Sequence, residues 1–442
     1  KFRYWFMAEL LPHKDVCEVS KIVGAHYYPM TLFYRCLGMR AGERIFWPGT
    51  PLDVDGALYD LLEVEDDVTF GSRTKILCHD SQEARKVSIC SGAMVADNCF
   101  VLPGTTICAN ALLGSGSVGA GDYGENTVSI GNIQGSAVTL MTGAPPEEES
   151  KPYGRAMFEG KATYWVMGWR TIMLINLLSR ALWAPFSGVR GCVFLLVVRN
   201  LHLSWGHLSP TKALPYILGI YVVLHFLLSL TAIGLDICLK WAIIGRRKPG
   251  VYPWDTSSYC QRWKLYTSLN HCIYGGERPL QKLGGSWWIV LYYRCLGSDI
   301  GRDVCLYPRG ASPSMTEPDL VRIGDRVCIE NASLVAHTNA MGRYQLFTLR
   351  VGDDCTLQDR CRLMAGAEML SNATLLEHSL VMSGDVVPSN MAWQGWPNRW
   401  QGASRSARSR LSGLSGNGSR ASLVKNQSSS SMLETEEMDL IV

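Results

Sequence analysis

Residues 89–118 read ICSGAM, VADNCF, VLPGTT, ICANAL and LGSGSV, five blocks of six that each open on an aliphatic residue. The openers are Ile89, Val95, Val101, Ile107 and Leu113, and the residue four places after each (Ala93, Cys99, Thr105, Ala111, Ser117) is small. A second run lies far downstream: Val351, Leu357, Leu363, Met369, Leu375 and Val381, with Cys355, Cys361, Ala367, Ala373 and Ser379 four places after the first five. A helix repeats every ~3.6 residues and a strand every ~2, so neither produces this spacing. The period predicts one short strand and one corner per block, with three blocks closing one turn of a triangular coil. Openers would point inward and stack on their counterparts one turn away, at a strand spacing of roughly 4.8 Å. The small residues would fill the space near each corner. Ser91-Gly92, Asp97-Asn98 and Asp353-Asp354 supply residue types that tolerate left-handed backbone angles there.

The chain of 442 residues has room for two or three domains. A net charge of +3 and the lack of a basic, aromatic-rich patch argue against nucleic acid as a partner. Fifteen cysteines form no Cys-x-x-Cys pair. Cys99, Cys355 and Cys361 fall on small inward positions, which reads as core packing in a reducing compartment and not as a disulfide frame or a metal site. The sequence starts at Lys1 without an initiator methionine and without a signal peptide, so it is read as a piece of a longer polypeptide.

Beyond the hexads, the chain repeats itself. Leu32-Phe33-Tyr34-Arg35-Cys36-Leu37-Gly38 returns 259 residues later as Leu291-Tyr292-Tyr293-Arg294-Cys295-Leu296-Gly297. The same offset links Val64, Phe70 and Ile76 to Ile323, Ile329 and Val335, then slips to 262 at Ile89 and Val351, where the second copy has a longer loop. Each copy is expected to hold a helical lead-in, a first coil segment, a protruding loop (79–86 and 337–350) and a final run of hexads. The copies close with Met141-Thr142-Gly143-Ala144-Pro145 and Trp393-Gln394-Gly395-Trp396-Pro397.

Between the copies the composition turns apolar. Segment 213–239 is long enough to cross a bilayer and carries only His225 and Asp236 as readily charged groups. Arg246-Arg247-Lys248 follow, which places that end on the cytoplasmic side. Segment 164–186 is a second candidate, weakened by Arg170 and Arg180, and the short apolar run 191–198 fits an interfacial position. Two copies of one soluble fold belong in one compartment, so the expectation is two crossings with both coils cytoplasmic. A buried soluble helix hairpin is the alternative. The chain thus divides into a first coil domain (1–150), a membrane segment (160–245), a second coil domain (246–400) and a Ser- and Arg-rich tail (401–442) expected to be disordered.

Some motifs mislead. Gly114-Ser115-Gly116-Ser117-Val118-Gly119 matches a dinucleotide fingerprint but runs in register with the hexads, with no helix or acidic partner in place. Asn331-Ala332-Ser333 and Asn372-Ala373-Thr374 match glycosylation sequons but fall on coil corners. The two loops carry better signals. His79 opens the first and His337 the second, and a histidine titrates near neutral pH, which suits proton transfer from an attacking amine or hydroxyl. A histidine that merely pins the loop to a corner is the competing reading. His337 is the stronger catalytic candidate, because Arg343 and Tyr344 in its longer loop are placed to position a substrate. Its offset from His79 is 258, one residue out of register. Arg35 and Arg294 are candidates for binding an anion such as a phosphopantetheine phosphate, or for bracing a helix against the coil.

These residues resemble a known family. The hexads are similar to those of hexapeptide-repeat acyltransferases, whose coil is a left-handed parallel β-helix. The arrangement resembles the C-terminal region of ε-poly-lysine-synthetase-like non-ribosomal peptide synthetases, in which membrane helices alternate with tandem β-helix-containing domains. The matching features are the two Tyr-Arg-Cys-Leu-Gly stretches, the run from Trp241 to Gly250, the stretch from Val101 to Ile107, and Trp393-Gln394-Gly395-Trp396-Pro397. The likeness covers roughly residues 1–400. It departs in the first copy, which closes without the tryptophan, and in having only two copies.

The resemblance implies a fold that is mainly β with membrane helices: two duplicated left-handed β-helix domains flanking a transmembrane segment. It implies an acyl or peptidyl transferase joining a carrier-bound aminoacyl thioester to an amine, with phosphopantetheine supplied by a carrier domain and no metal. Carrier and adenylation domains are expected upstream of Lys1, and membrane lipid is the other partner. The two coils would pack as a pseudo-oligomer and build within one chain a groove that related enzymes build between subunits. His337 or His79 would take the proton. A non-catalytic scaffold that holds those domains at the membrane is the rival reading, and a transferase using free acyl-CoA a third.

Overall fold

Each six-residue block folds as a two-residue strand ending on its aliphatic opener, followed by a corner. In the computed structural model this gives Met94–Val95, Phe100–Val101, Thr106–Ile107 and Leu112–Leu113 in succession. The structure describes residues 5–6, 9–23, 28–49, 51–80, 83–133, 136–143, 167–204, 210–254, 257–274, 279–340, 343–395 and 399–403. The expected tail, apart from residues 401–403, the ends of both closing motifs and the start of the first expected span lie outside them.

Strand pairing shows how many blocks make a turn. Val95 lies opposite Leu113, Ile89 opposite Ile107 and Val101 opposite Gly119, always in parallel and three blocks apart. The second coil pairs the same way, with Val351 opposite Met369, Leu357 opposite Leu375 and Leu363 opposite Val381. Each coil is therefore a prism of three parallel sheets, with strands spread over residues 40–142 in the first and 299–403 in the second. The openers Val95, Val101, Ile107, Leu357, Leu363 and Leu375 are fully buried, as are the small residues Ala93, Cys99, Cys355 and Ala373. Inside the coil Cys99 Sγ sits 3.1 Å from the Gly114 carbonyl oxygen, a role in packing and weak hydrogen bonding.

The corners need left-handed backbone, and the residues there repeat with the hexads. Gly92, Asn98, Gly104, Asn110 and Gly116 all have φ between 56° and 80°. In the second coil Asp354, Arg360, Gly366, Asn372, His378, Gly384 and Asn390 take the same conformation. Both would-be glycosylation asparagines are thus inside the coil path, and Asn372 occupies a corner. Antiparallel strands finish each prism: Thr127–Ile133 with Ser136–Thr142, and Met391–Gln394 with Arg399–Ala403. They cover a sheet edge that would otherwise be open for pairing.

A short helix leads into each coil. α1 (His13–Val23) and α2 (Tyr28–Cys36) precede the first. Tyr34 and Trp47 pack with ring centroids 4.6 Å apart, and Trp47 stacks on Phe70 at 5.5 Å, which fixes α2 on the coil. Two long helices follow, α3 (Trp169–Ser204) and α4 (Pro210–Leu239), and α4 continues through a wider turn over Lys240–Ile244. α5 (Ser258–Tyr274) and α6 (Trp287–Cys295) then lead into the second coil.

The two expected spans differ in the structure. Segment 191–198 is part of α3. α3 carries Arg170, Arg180, Arg190 and Arg199, and Arg180 pairs with Glu18 of α1 at 3.3 Å. Among the described residues one helix, Leu214–Ile244, is long and apolar enough to cross a membrane. Only 12% of its most apolar stretch is buried, unlike the core helix of a soluble hairpin. The buried positions Ala232, Asp236, Lys240 and Ile244 recur every four residues, so one stripe docks on the second coil domain while the rest faces outward.

The coils also touch each other. Arg362 of the second pairs with Asp97 of the first, and Phe46 packs edge-on against Trp254 with ring centroids 5.2 Å apart.

Candidate functional site

The second loop is not a loose excursion. β1 (Gly250–Pro253), β2 (His337–Ala340) and β3 (Arg343–Leu346) form a three-stranded antiparallel sheet in which β3 pairs with both others. The polypeptide leaving α4 therefore clamps the hairpin that carries His337. Alternation along β3 sends Tyr344 and Leu346 inward, where both are buried. Tyr344 is surrounded by Trp254, Tyr259 and Trp263, with ring centroids 5.7, 6.0 and 5.5 Å away.

His337 lies flat on Tyr344, with ring centroids 4.9 Å apart and planes 17° from parallel. Its Nδ1 is 2.8 Å from Glu317 Oε1. The Glu317 side chain is fully buried, while that of His337 keeps 23% of its surface exposed. Glu317 also accepts hydrogen bonds from the Tyr344 hydroxyl at 3.2 Å, the Ala336 N–H at 3.2 Å and the Thr316 hydroxyl. Burial pushes the Glu317 carboxyl up, but the charge and hydrogen bond of His337, the charge of Arg247 and the Thr316 hydroxyl outweigh it and hold the group down at about 2. A carboxylate can only accept, so Nδ1 carries a proton toward Glu317, which leaves Nε2 as the nitrogen that can serve as a base. The buried group fixes the tautomer and the orientation, and the exposed side of the ring is left for chemistry.

Behind the dyad lies a second buried charge cluster. Asp319 accepts from the Arg247 N–H at 2.6 Å and from Arg247 Nη1 at 2.8 Å, and Lys240 Nζ is 3.2 Å away. Arg247 Nε reaches the Tyr259 hydroxyl at 3.1 Å. The end of α4 is thereby bolted to the first turn of the second coil, two residues from Glu317.

The first copy is built differently. His79 Nδ1 is 3.5 Å from Asp55 Oδ2, and both side chains are largely exposed, at 46% and 40%. Leu58 occupies the position 259 residues before Glu317, so the buried carboxylate has no counterpart. The one-residue slip between His79 and His337 corresponds to two different local structures: a compact turn with a bridge between His79 and Ala84, and a clamped hairpin.

The other candidates find other work. Tyr344 is sealed from solvent and serves as the wall and hydrogen-bond donor of the dyad, which corrects the substrate-positioning role expected for it. Arg343 stands at the half-buried start of β3, pairing across the strands with Ala340 and Pro253. Arg35 donates from Nε to the Ala41 carbonyl and from Nη2 to that of Gly42, both at 2.8 Å. Arg294 repeats this on Ile300 and Gly301. Both guanidiniums brace a helix on its coil through Nε and Nη2, the second of the two roles expected for them. No group of three or more His, Cys, Asp or Glu side chains suited to a metal occurs among the described residues.

Sequence reasoning missed Glu317, Asp319 and Lys240. One signal was present: at the duplicated position, a charged Glu317 replaces an apolar Leu58.

No family model matches the chain. Over 209 residues it is 26% identical to the delta-poly-L-ornithine synthetase of Acinetobacter baumannii, a match covering 46% of this chain and 14% of the relative's length. The chain thus matches only a small part of that protein. Among solved structures, a hexapeptide-repeat-containing acetyltransferase from Vibrio cholerae overlaps 28% of this chain and 86% of its own, at 14% identity and a TM-score of 0.24. A UDP-N-acetylglucosamine acyltransferase from Arabidopsis overlaps 89% of this chain and 85% of its own, at 8% identity and a TM-score of 0.16. The fold assignment rests on the strand pairing itself and draws nothing from these overlaps.

Proposed function

We propose that the chain is an amide-forming acyl transferase module, with His337 of the second coil domain as general base. The observation that carries this reading is the dyad: a ring held at Nδ1 by a buried, ionised Glu317 and stacked on Tyr344, with 23% of the side chain still exposed. An amine attacks an activated acyl carbon, the new C–N bond forms, and the amine proton passes to Nε2. The protonated ring, stabilised by Glu317, then hands that proton to the leaving group. The partial match to a poly-ornithine synthetase supports an amide product.

The donor we propose is an acyl group on the phosphopantetheine arm of a carrier domain, delivered by carrier and adenylation domains belonging to the same longer protein. Arg35 and Arg294, which brace helices on their coils, are given no part in holding that arm. The paired coils act as a pseudo-oligomer joined by Arg362 with Asp97 and by Phe46 with Trp254. The exposed apolar surface of Leu214–Ile244 supports attachment of the module to a membrane; the placement of both coils on the cytoplasmic side is part of the proposal. The scaffold reading is favoured for the first coil alone, where His79 lacks a buried partner.

The test is amide formation from a loaded carrier domain and a free amine, catalysed by the intact protein. His337→Ala is expected to lower turnover about 10²–10⁴-fold, the usual worth of a positioned base. Undiminished turnover would overturn the assignment.

A further inference from the structure

A cavity of about 210 Å³ lies where the end of α4 meets α5, α6 and the first turn of the second coil. Neither His337 nor Glu317 lines it, so it is distinct from the dyad. At ~30 Å³ per water it has room for roughly seven waters, or a ligand of nine or so heavy atoms.

Its wall is bipolar. Lys240 and Arg247 line one part, and these two cations share the single carboxylate of Asp319. Lys240 has three protons to donate; Nζ lies 3.2 Å from Asp319 without a formed hydrogen bond, and the face of Trp241 is 3.5 Å away. Tyr266, Asn270 and Tyr292 line another part, and all three donate to the buried Asp236, at 2.7, 2.5 and 2.5 Å. Because Asn270 turns its Nδ2 toward that carboxylate, its Oδ1 is an acceptor; the Tyr266 oxygen accepts from the same Nδ2 at 3.4 Å and keeps one further lone pair. Behind them stands the negative charge of Asp236. Asp236 and Lys240 are one helical turn apart on α4, about 6 Å along its axis.

We propose that this cavity binds a free α-amino acid, its carboxylate on Lys240 and Arg247 and its ammonium on the Tyr266 and Asn270 oxygens backed by Asp236. Lys240 Nζ is buried there with no hydrogen-bond partner among the described residues, a donor that the carboxylate of a zwitterion would satisfy.

Three probes of one shape test it by calorimetry on the purified full chain: L-norleucine, hexanoate without the ammonium, and pentylamine without the carboxylate. L-norleucine is expected to bind, with the other two at least about tenfold weaker, the loss of one charged hydrogen-bonding partner. Lys240→Met should abolish the preference for a carboxylate. Leu280→Trp, which fills the cavity without touching a charge, should abolish binding even if Lys240→Met fails to fold. His337→Ala should bind L-norleucine as the parent does, so the fate of the general-base assignment is read separately. Hexanoate or pentylamine binding as tightly as L-norleucine, or no binding by any probe, would overturn the proposal.

Discussion

Glu317 Oε1 lies 2.8 Å from His337 Nδ1, joining a side chain that is fully buried to one at 23% exposure. The two residues come from different turns of the coil, and the contact exists because the hairpin bearing His337 is clamped by the strand that leaves α4. Glu317 is fully buried behind His337, so its expected part is to position the base.

Glu317→Gln keeps the shape but removes the charge that favours the Nδ1–H tautomer and the imidazolium formed during transfer. Turnover should fall by roughly 10–10³-fold, with the base limb of the pH–rate profile displaced toward lower pH, because the imidazolium loses its counter-charge. Rate–pH profiles of parent and variant check this; a lowered rate with an unmoved profile would mean Glu317 is structural only. His79→Ala should leave turnover as it is.

The dyad also predicts a pH dependence of stability. The Glu317 carboxyl is held at about 2 in the folded protein against an ordinary 4.5. Its contribution is present above the ordinary value and is lost as pH falls from there toward 2, because the unfolded chain takes up a proton first. Acid titration followed by circular dichroism should show this loss in the parent and a shallower one in Glu317→Gln.

The coil was legible from residues alone, because its period ties each residue's burial to its position: Val95, Cys99 and Asn98 each do what their place in the hexad demands. The site was half legible. His337 announced itself at a loop mouth, but its partner sits in an irregular turn, Pro318–Leu320 with Glu317 before it, where no period fixes which way a side chain points. For Arg35 and Arg294 the sequence left two roles open, an anion site or a brace, and only the geometry shows each guanidinium donating to two carbonyls where helix meets coil.

Asp319 should be costly to change. In Asp319→Asn, Lys240 and Arg247 lose their shared counter-ion while both remain buried, a defect worth about 3–5 kcal/mol. Asp60, at the matching place in the first copy, packs against Gly38 as Asp319 does against Gly297, but is partly exposed. Asp60→Asn should therefore lower the melting temperature far less. Equal losses in the two variants would refute the buried cluster as a structural bolt.

Glycines on the coil differ in why they are there. A Cβ on Gly352 would stand 2.8 Å from the Ser371 N atom of the next turn, so Gly352→Ala must push two turns apart. Gly384 has φ +82° and open space around it, so Gly384→Ala carries only backbone strain. The first should cost about 1–3 kcal/mol and the second about 1–2. Denaturant melts of the two variants decide the order.

The last expectation concerns depth in a bilayer. Lys282 reaches His225, while Tyr292 reaches Asp236 and Trp241 reaches the Cys295 carbonyl, so the stretch from Lys282 to Cys295 runs beside the apolar helix from His225 to Trp241. If Leu214–Ile244 is embedded, that stretch enters the membrane with it. Trp287 and Trp288 lie there at 59% and 60% exposure, where lipid would cover them. In vesicles containing lipids brominated along the acyl chain, tryptophan fluorescence should be quenched, and the quenching should shrink in the Trp287→Phe, Trp288→Phe variant. Quenching that is identical in parent and variant would place these residues in water and α6 above the membrane surface, leaving only the stretch of α4 before His225 free of protein, too short at ~1.5 Å per residue to cross ~30 Å of hydrocarbon.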